Sequence, residues 1–238
     1  MSLAFLHRLR MLVLRVSFRM ASLRPRRTVD WVIGPFEVAG LVRDIGAVLP
    51  RSRTVLLARH PMYGDAYDWL PPTRELWPAP LARLIRNVRG PLLLGRLAAP
   101  TRAFVYVSFG GVLPASADQR EAEFRFLRSK GKRIVCYFTG SDIRSPRLMA
   151  ELEAELGEPN LGTWLRAVVP AWTSAAYDDE KRRVGEVASE FADLIYPADV
   201  DQRGYFSVPT EPFAYFYPSD AVADDFTKFE APVRPVVL

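Results

Sequence analysis

The segment RIVCYFTGSDIR (residues 133–144) decides the fold prediction. It opens with an apolar run of the kind that forms a strand buried on both faces of a parallel sheet. The run stops before Gly140, and a hydroxyl, a carboxylate and a guanidinium follow within four residues. Two interpretations are open. Either the strand end holds a ligand, or Ser141 or Asp142 caps a helix that begins near Ile143.

Strand-like and helix-like patterns alternate on both sides of this segment. Apolar runs predict strands at residues 28–34, 53–58, 103–109, 132–138 and 192–196, and the apolar residues 233–238 suit a last one. Helical spacing of apolar residues predicts helices at 36–49, 118–130 and 178–191, and at 81–97 with an interruption at Gly90-Pro91. Strands that alternate with helices form parallel sheets covered on both sides. We therefore predict an α/β, Rossmann-like fold with a mostly parallel sheet and helices on both faces.

The positive charge is concentrated at the N-terminus. The formal net charge is +5, and residues 1–27 contain seven arginines and no acidic residue. Without these seven, the 32 basic residues fall to 25 against 27 acidic ones. The rest of the chain thus has no basic surplus that would indicate a nucleic-acid surface, and we expect no nucleic-acid partner. We divide the chain into a basic leader, residues 1–27, and one domain, residues 28–238.

The leader has the pattern of an amphipathic helix. On a helix, Arg8, Arg15 and Arg19 fall within a narrow arc. Another side carries apolar residues, namely Leu6, Leu9, Val13, Val16 and Met20. The longest apolar run, residues 11–14, is shorter than the about 20 residues that span a bilayer or the roughly 7–15 of a secretory signal core. The pattern predicts a helix on an anionic membrane surface, with the protein in the cytoplasm or peripheral on the inner membrane face. An unstructured leader and an organelle-import signal are the alternatives.

Several chemistries are excluded by what the sequence lacks. One cysteine, Cys136, rules out an internal disulfide and suits a reducing compartment, and two histidines, His7 and His60, are too few for a Cys/His zinc site. No complete G-x-G-x-x-G follows the first strand, and no G-x-S-x-G or Walker loop occurs. We expect no cofactor and no metal to be bound by this chain. The alternative is a metal-dependent transferase that uses Asp199 and Asp201, which follow the strand at 192–196.

Glycines mark three of the predicted strand ends. Open parallel sheets bind ligands beyond the carboxyl ends of their strands, and glycine lets a ligand approach the backbone. We therefore predict one ligand-binding rim. Its substrate-binding candidates are Gly34, Pro35, Phe36, Glu37, Gly40, Gly110, Gly111, Gly140, Ser141, Asp142 and Arg144. For the first strand end the alternative is ordinary turn chemistry, in which Glu37 stabilises the N-terminus of the next helix.

Four short segments carry a resemblance to a known family. They are GPFEVAG (34–40), FTGSDIR (138–144), ADLIYP (192–197) and FAYFYP (213–218). Together they resemble the N-terminal domain of bacterial GT-B glycosyltransferases, which consist of two Rossmann-like domains. The resemblance covers roughly residues 29–238, and RPVVL (234–238) looks like the first strand of the second domain.

The resemblance implies a function. In that family the N-terminal domain mainly binds the acceptor, and the C-terminal domain binds the nucleotide sugar. The expected reaction is sugar transfer from a nucleotide sugar to a cell-envelope glycan or lipid-linked acceptor. The glycines would allow backbone approach, Glu37 and Asp142 would bond acceptor hydroxyls, and Arg144 would contact a phosphate or carboxylate.

The donor half of such an enzyme is expected from a separate chain. The groups that stabilise the developing diphosphate charge belong to the donor domain in that family, and the reaction needs them. The nucleotide sugar is then the donor substrate of the complex. The alternatives are a truncated reading frame, a remnant of such an enzyme, and a non-catalytic binding or scaffold protein that retains the fold.

Overall fold

The chain forms a five-stranded, all-parallel sheet. The computed structural model describes residues 3–23, 27–64, 66–71, 79–114, 116–140, 142–197 and 205–213. The strands are β1 (Val29–Pro35), β2 (Ser52–Thr54), β3 (Thr101–Val107), β4 (Arg133–Tyr137) and β5 (Leu194–Tyr196), in the order β2-β1-β3-β4-β5. The predicted α/β, Rossmann-like fold is confirmed. The predicted strand at 233–238 lies outside the described residues.

Seven helices are described. They are α1 (Leu3–Ser22), α2 (Leu41–Val48), α3 (Ala79–Ala98), α4 (Ala117–Ser129), α5 (Pro146–Leu156), α6 (Leu161–Val168) and α7 (Ala175–Phe191). The predicted interruption at Gly90-Pro91 is wrong, because α3 continues through Pro91. Packing of α3 against α1 outweighs the local preference for a break. The predicted helix at 36–49 begins only at Leu41, and α6 was not predicted. Helix α5 corresponds to the alternative in which a helix begins near Ile143, but it begins only at Pro146.

The central strands of the sheet are buried on both faces because their side chains alternate between two apolar clusters. On β3, Phe104 and Tyr106 belong to the cluster that contains residues of α1, α3, α4 and α7. The intervening Val105 and Val107 belong to the cluster that contains residues of α2. The predicted helices on both faces of the sheet are therefore confirmed.

The N-terminal helix is present, and one side of it is packed into the fold. Leu14, Ser17 and Ala21 are buried, and the Ser17 hydroxyl donates to the carbonyl oxygen of Leu92 in α3 at 2.8 Å. Val16 and Met20, which the sequence pattern grouped on its apolar side, are exposed instead. In the described part of the chain, no helix is long and apolar enough to cross a membrane.

Gly95 allows α1 and α3 to approach closely. A Cβ at this position would lie 2.7 Å from the backbone nitrogen of Phe18 and 2.8 Å from the carbonyl oxygen of Leu14. We expect Gly95→Leu to lower the free energy of unfolding by about 1–3 kcal/mol, because α1 must move. At an exposed helix position, the same change would raise the free energy of unfolding by roughly 0.8 kcal/mol, because leucine has the higher helix propensity. A lower free energy of unfolding therefore identifies the close contact between α1 and α3.

Urea denaturation with Arg96→Leu as the control tests this expectation. Arg96 is exposed next to Gly95. A Gly95→Leu variant as stable as the wild type would contradict the close packing of the two helices.

Candidate functional site

The predicted site residues lie along one rim of the sheet. From β1 the chain runs outward through α2 to β2 and returns through α3 to β3 on the other side of β1. Open parallel sheets bind ligands at such a reversal, beyond the carboxyl ends of the strands. Pro35 of β1 pairs with Val107 of β3, which pairs with Tyr137 of β4. The glycines that end or follow these three strands therefore share one edge.

Protein atoms occupy the space beside the rim glycines. A Cβ at Gly34 would overlap with the carbonyl oxygen of Val55, and a Cβ at Gly110 would overlap with the ring of Phe36. Phe36 also stacks on Phe109, with ring centroids 6.1 Å apart and an interplanar angle of 6°. Gly34 thus permits close packing of β1 against the residue that follows β2, and Gly110 permits close packing between the ends of β1 and β3. Approach of a ligand to their backbone stays a prediction.

Glu37 caps α2. Its carboxylate accepts hydrogen bonds from the backbone N–H groups of Val42 and Arg43, both at 3.2 Å, and from the Tyr67 hydroxyl at 2.6 Å. Gly40, just before the helix, has φ +83°, a left-handed conformation that favours glycine. The expected stabilisation of a helix N-terminus by Glu37 is confirmed. Its bond to an acceptor hydroxyl stays a prediction.

The pKa of the Tyr67 hydroxyl, which donates to Glu37, is raised by its surroundings. Burial raises the pKa of Tyr67 first, and the hydrogen bond and charge of Glu37 raise it further. Tyr67 therefore stays a neutral donor to this carboxylate.

Asp142 organises the turn after β4. Its carboxylate accepts from the N–H of Gly140 at 2.7 Å and from the N–H of Thr139 at 3.0 Å. The next helix, α5, begins at Pro146, and its cap is the hydroxyl of Ser145, so the predicted helix start near Ile143 is wrong. Ser145 can cap because the turn places it in extended conformation directly before a proline, which suits the first helical position. The predicted site residue Ser141 lies outside the described residues.

Two cations lie beside this turn. Arg144 folds back so that its guanidinium occupies the space beside Gly140. Lys181 of α7 is only 8% exposed, and its ammonium donates to the carbonyl oxygen of Asp142 at 3.2 Å. Sequence reasoning missed Lys181. It lies three residues before Val184, on the apolar stripe of the helix predicted at 178–191. A lysine within such a stripe is the sequence pattern that could have indicated a buried cation.

The environment of Lys181 disfavours its charge. Burial lowers the pKa of Lys181, and the nearby carboxylates of Asp142 and Glu180 oppose that shift. Its ammonium also lies 4.8 Å from the ring centroid of Phe109 and 4.9 Å from that of Tyr177, distances at which aromatic faces attract cations.

Glu123 of α4 holds the loop after β3 from the core side. The fully buried carboxylate accepts from the N–H of Val112 at 3.1 Å, from the N–H of Leu113 at 2.8 Å and from the Tyr106 hydroxyl. A Cβ at Gly111 would lie 2.5 Å from this carboxylate, so the glycine makes room for it. Burial raises the pKa of Glu123, and these donors partly offset that effect.

Arg120 is a second buried charge beneath the same loop. Its guanidinium donates to the carbonyl oxygen of Ser108 and to Sγ of Cys136, each at 3.1 Å. Ser108 has φ +70°, which is uncommon for a residue other than glycine and marks local strain at the end of β3. The bond from Arg120 therefore supports the loop at its strained residue.

The described residues contain no group of three or more His, Cys, Asp or Glu side chains that could hold a metal ion. Asp199 and Asp201 lie outside the described residues, so the metal-dependent alternative stays a hypothesis.

Comparisons with known proteins give no match. No family model, no curated protein and no solved structure matches this chain.

We expect Glu123→Ala to lower the free energy of unfolding by about 3 kcal/mol or more, because three buried donors lose their acceptor. Urea denaturation measures the change. Glu190→Ala, which removes an exposed glutamate, is the control and should cost less than about 1 kcal/mol. Equal effects of the two changes would contradict the assigned role of Glu123.

Lys181 makes the stability depend on pH. Because its pKa is lowered in the folded state, Lys181 binds fewer protons there than in the unfolded chain as the pH approaches its ordinary value of 10.5. The free energy of unfolding of the wild type should therefore rise relative to Lys181→Met as the pH increases toward 10.5. Denaturation at several alkaline pH values, with the exposed Lys130→Met as the control, checks this sign. A difference that is constant with pH would show that Lys181 titrates alike in both states.

Proposed function

We propose that this chain is the acceptor-binding half of a GT-B-like glycosyltransferase. Together with a donor-binding domain, it would transfer a sugar from a nucleotide sugar to a cell-envelope glycan or lipid-linked acceptor.

The location of the family-like segments carries the proposal. Residues 34–40 begin at the end of β1, residues 138–144 follow β4, and residues 192–197 contain β5. All three reach the carboxyl edge of one parallel sheet, where folds of this class bind ligands. Short matches scattered over the surface would not favour one site.

Charge at the end of β4 favours an acceptor that carries a phosphate. The guanidinium of Arg144 and the ammonium of Lys181 both lie beside the turn at Gly140, and arginine is well suited to bind phosphate oxygens. The carboxylates of Glu37 and Asp142 are already bonded to backbone N–H groups. Their remaining lone pairs are what an acceptor hydroxyl would use.

Packing between β1 and β3 favours the second candidate, a non-catalytic scaffold. The stacked rings of Phe36 and Phe109 occupy the rim at the reversal point, and Gly110 is covered by Phe36. A scaffold that keeps the fold without a ligand would have such a closed rim.

Calorimetry with a short-chain polyprenyl phosphate as an acceptor probe tests the proposal. We expect the chain to bind this probe and Arg144→Gln to weaken binding at least about tenfold, because a charge-assisted hydrogen bond is worth roughly 1.5–3 kcal/mol. The control is Arg147→Gln, which removes an exposed arginine that pairs with Glu151 in α5.

The same titrations with UDP- and GDP-sugars separate the alternatives. Residues 1–238 should not bind them tightly, because donor binding belongs to the second domain in enzymes of the proposed kind. Tight binding that needs manganese would overturn the proposal in favour of the metal-dependent transferase. Absence of polyprenyl phosphate binding, or equal loss in both arginine variants, would contradict the Arg144 acceptor site.

A further inference from the structure

Helix α1 has a second apolar side that is not covered by the fold. Leu14, Ser17 and Ala21 are buried on one side of the helix. The opposite side carries exposed apolar residues at a spacing of three or four, namely Leu12 (59% exposed), Val16 (49%), Met20 (59%) and Leu23 (79%) just beyond the helix end. We call these four residues the α1 stripe. A helix side of this length and composition is unfavourable in water.

Three arginines lie along one flank of the α1 stripe. Arg8, Arg15 and Arg19 are exposed and follow one another at helical spacing. Within the part of the chain that the structure describes, none of the three forms an ion pair. The sequence of α1 contains no aspartate or glutamate. The outer side of α1 therefore combines apolar side chains with unpaired positive charge.

We propose that the α1 stripe and its three arginines bind the surface of an anionic lipid bilayer. Such a surface offers an apolar interior next to phosphate groups, which matches the two chemistries on this side of the helix. A second copy of the chain fits less well, because pairing two α1 stripes would bring arginines together with no carboxylate in either helix.

The packing of α1 fixes how the domain would sit on the bilayer. The His7 ring nitrogen lies 3.1 Å from the side-chain amide of Gln119, in the first turn of α4. The loop after β3 leads directly into that turn, so the N-terminal half of α1 lies at the rim end of the sheet. With the α1 stripe on the membrane, the rim is held beside the headgroups. Access of a lipid-linked acceptor to the rim is a consequence that rests on the proposed function, whereas bilayer binding itself does not.

Point substitutions test this proposal better than deletion of residues 1–27. Deletion would remove Leu14 and Ala21 from the core and uncover α3, which would expose a new apolar surface. The α1 stripe can instead be altered at exposed positions without touching the packed side.

The experiment is sedimentation of the full chain with vesicles of phosphatidylcholine, with and without phosphatidylglycerol. We expect binding only to the vesicles that contain phosphatidylglycerol. The triple variant Arg8→Gln, Arg15→Gln, Arg19→Gln should bind roughly a hundredfold more weakly at low salt, since each basic residue near an anionic surface contributes about 1 kcal/mol.

A second triple variant, Leu12→Ser, Val16→Ser, Met20→Ser, removes the apolar contribution and keeps the charge. It should bind at least about tenfold more weakly, because less apolar area enters the interface. Circular dichroism of both triple variants should match the wild type, since the altered side chains are exposed.

Two matched controls locate the binding surface. The first removes three exposed arginines elsewhere on the domain, by Arg53→Gln, Arg133→Gln and Arg182→Gln. The second removes another exposed apolar stripe, on α6, by Leu161→Ser, Trp164→Ser and Val168→Ser. Both controls should bind like the wild type.

The proposal is wrong if the wild type does not sediment with phosphatidylglycerol vesicles or binds phosphatidylcholine vesicles equally well. It is also wrong if a control variant loses as much binding as its α1 counterpart. Self-association of the wild type that both α1 variants abolish, without vesicle binding, would instead identify the α1 stripe as an interface between copies.

Discussion

Burial of the parallel sheet on both faces is the constraint on which the rest of the structure depends. Residues 104–107 of β3 alternate between two apolar clusters, so neither face of this part of the strand meets water. Such a segment has no position for an exposed polar side chain, and the exposed Arg102 lies at the start of β3. Exposed polar side chains therefore lie mainly in the loops at the strand ends and on the outer sides of the helices. The rim and the α1 stripe are the two places where this confinement leaves a candidate for function.

The rim loops are held by charges that lie beneath them in the core. Glu123 accepts two backbone N–H groups of the loop after β3, and Arg120 donates to the carbonyl of the strained Ser108. Isolated charges at such depth would be costly, and hydrogen bonds to the backbone offset that cost. Lys181 plays the same part for the turn after β4, through the carbonyl of Asp142. The conformations of the loops after β3 and β4 therefore depend on these buried ionisable side chains.

Local sequence predicted the strands better than it predicted the helices. The central strands β1, β3 and β4 were predicted because strands buried on both faces are continuous apolar runs, whereas the edge strand β2 is only Ser52–Thr54 and overlaps little with the predicted strand at 53–58. Helix α6 was missed and the start of α5 was misplaced, since their buried residues form only a small separate cluster around Met149, Leu165 and Trp172. The packed side of α1 was also missed. The pattern of hydrophobic residues placed Val16 and Met20 on the packed side, but the close approach of α1 to Gly95 favours the small side chain of Ser17 there.

The rim glycines illustrate why a site is harder to predict than a fold. A glycine at a strand end indicates that something comes close to the backbone, but the sequence does not say whether a ligand or another part of the chain does so. At Gly110 the neighbour is Phe36, whose ring also stacks on Phe109. A ligand between β1 and β3 would have to displace that stack. At the end of β4, the guanidinium of Arg144 occupies the space beside Gly140, and together with Lys181 it brings positive charge beside the turn. A phosphate would bond to that charge, whereas the ends of β1 and β3 present stacked aromatic rings. An acceptor of the proposed kind is therefore expected at β4, one strand away from the reversal point where the fold alone would put it.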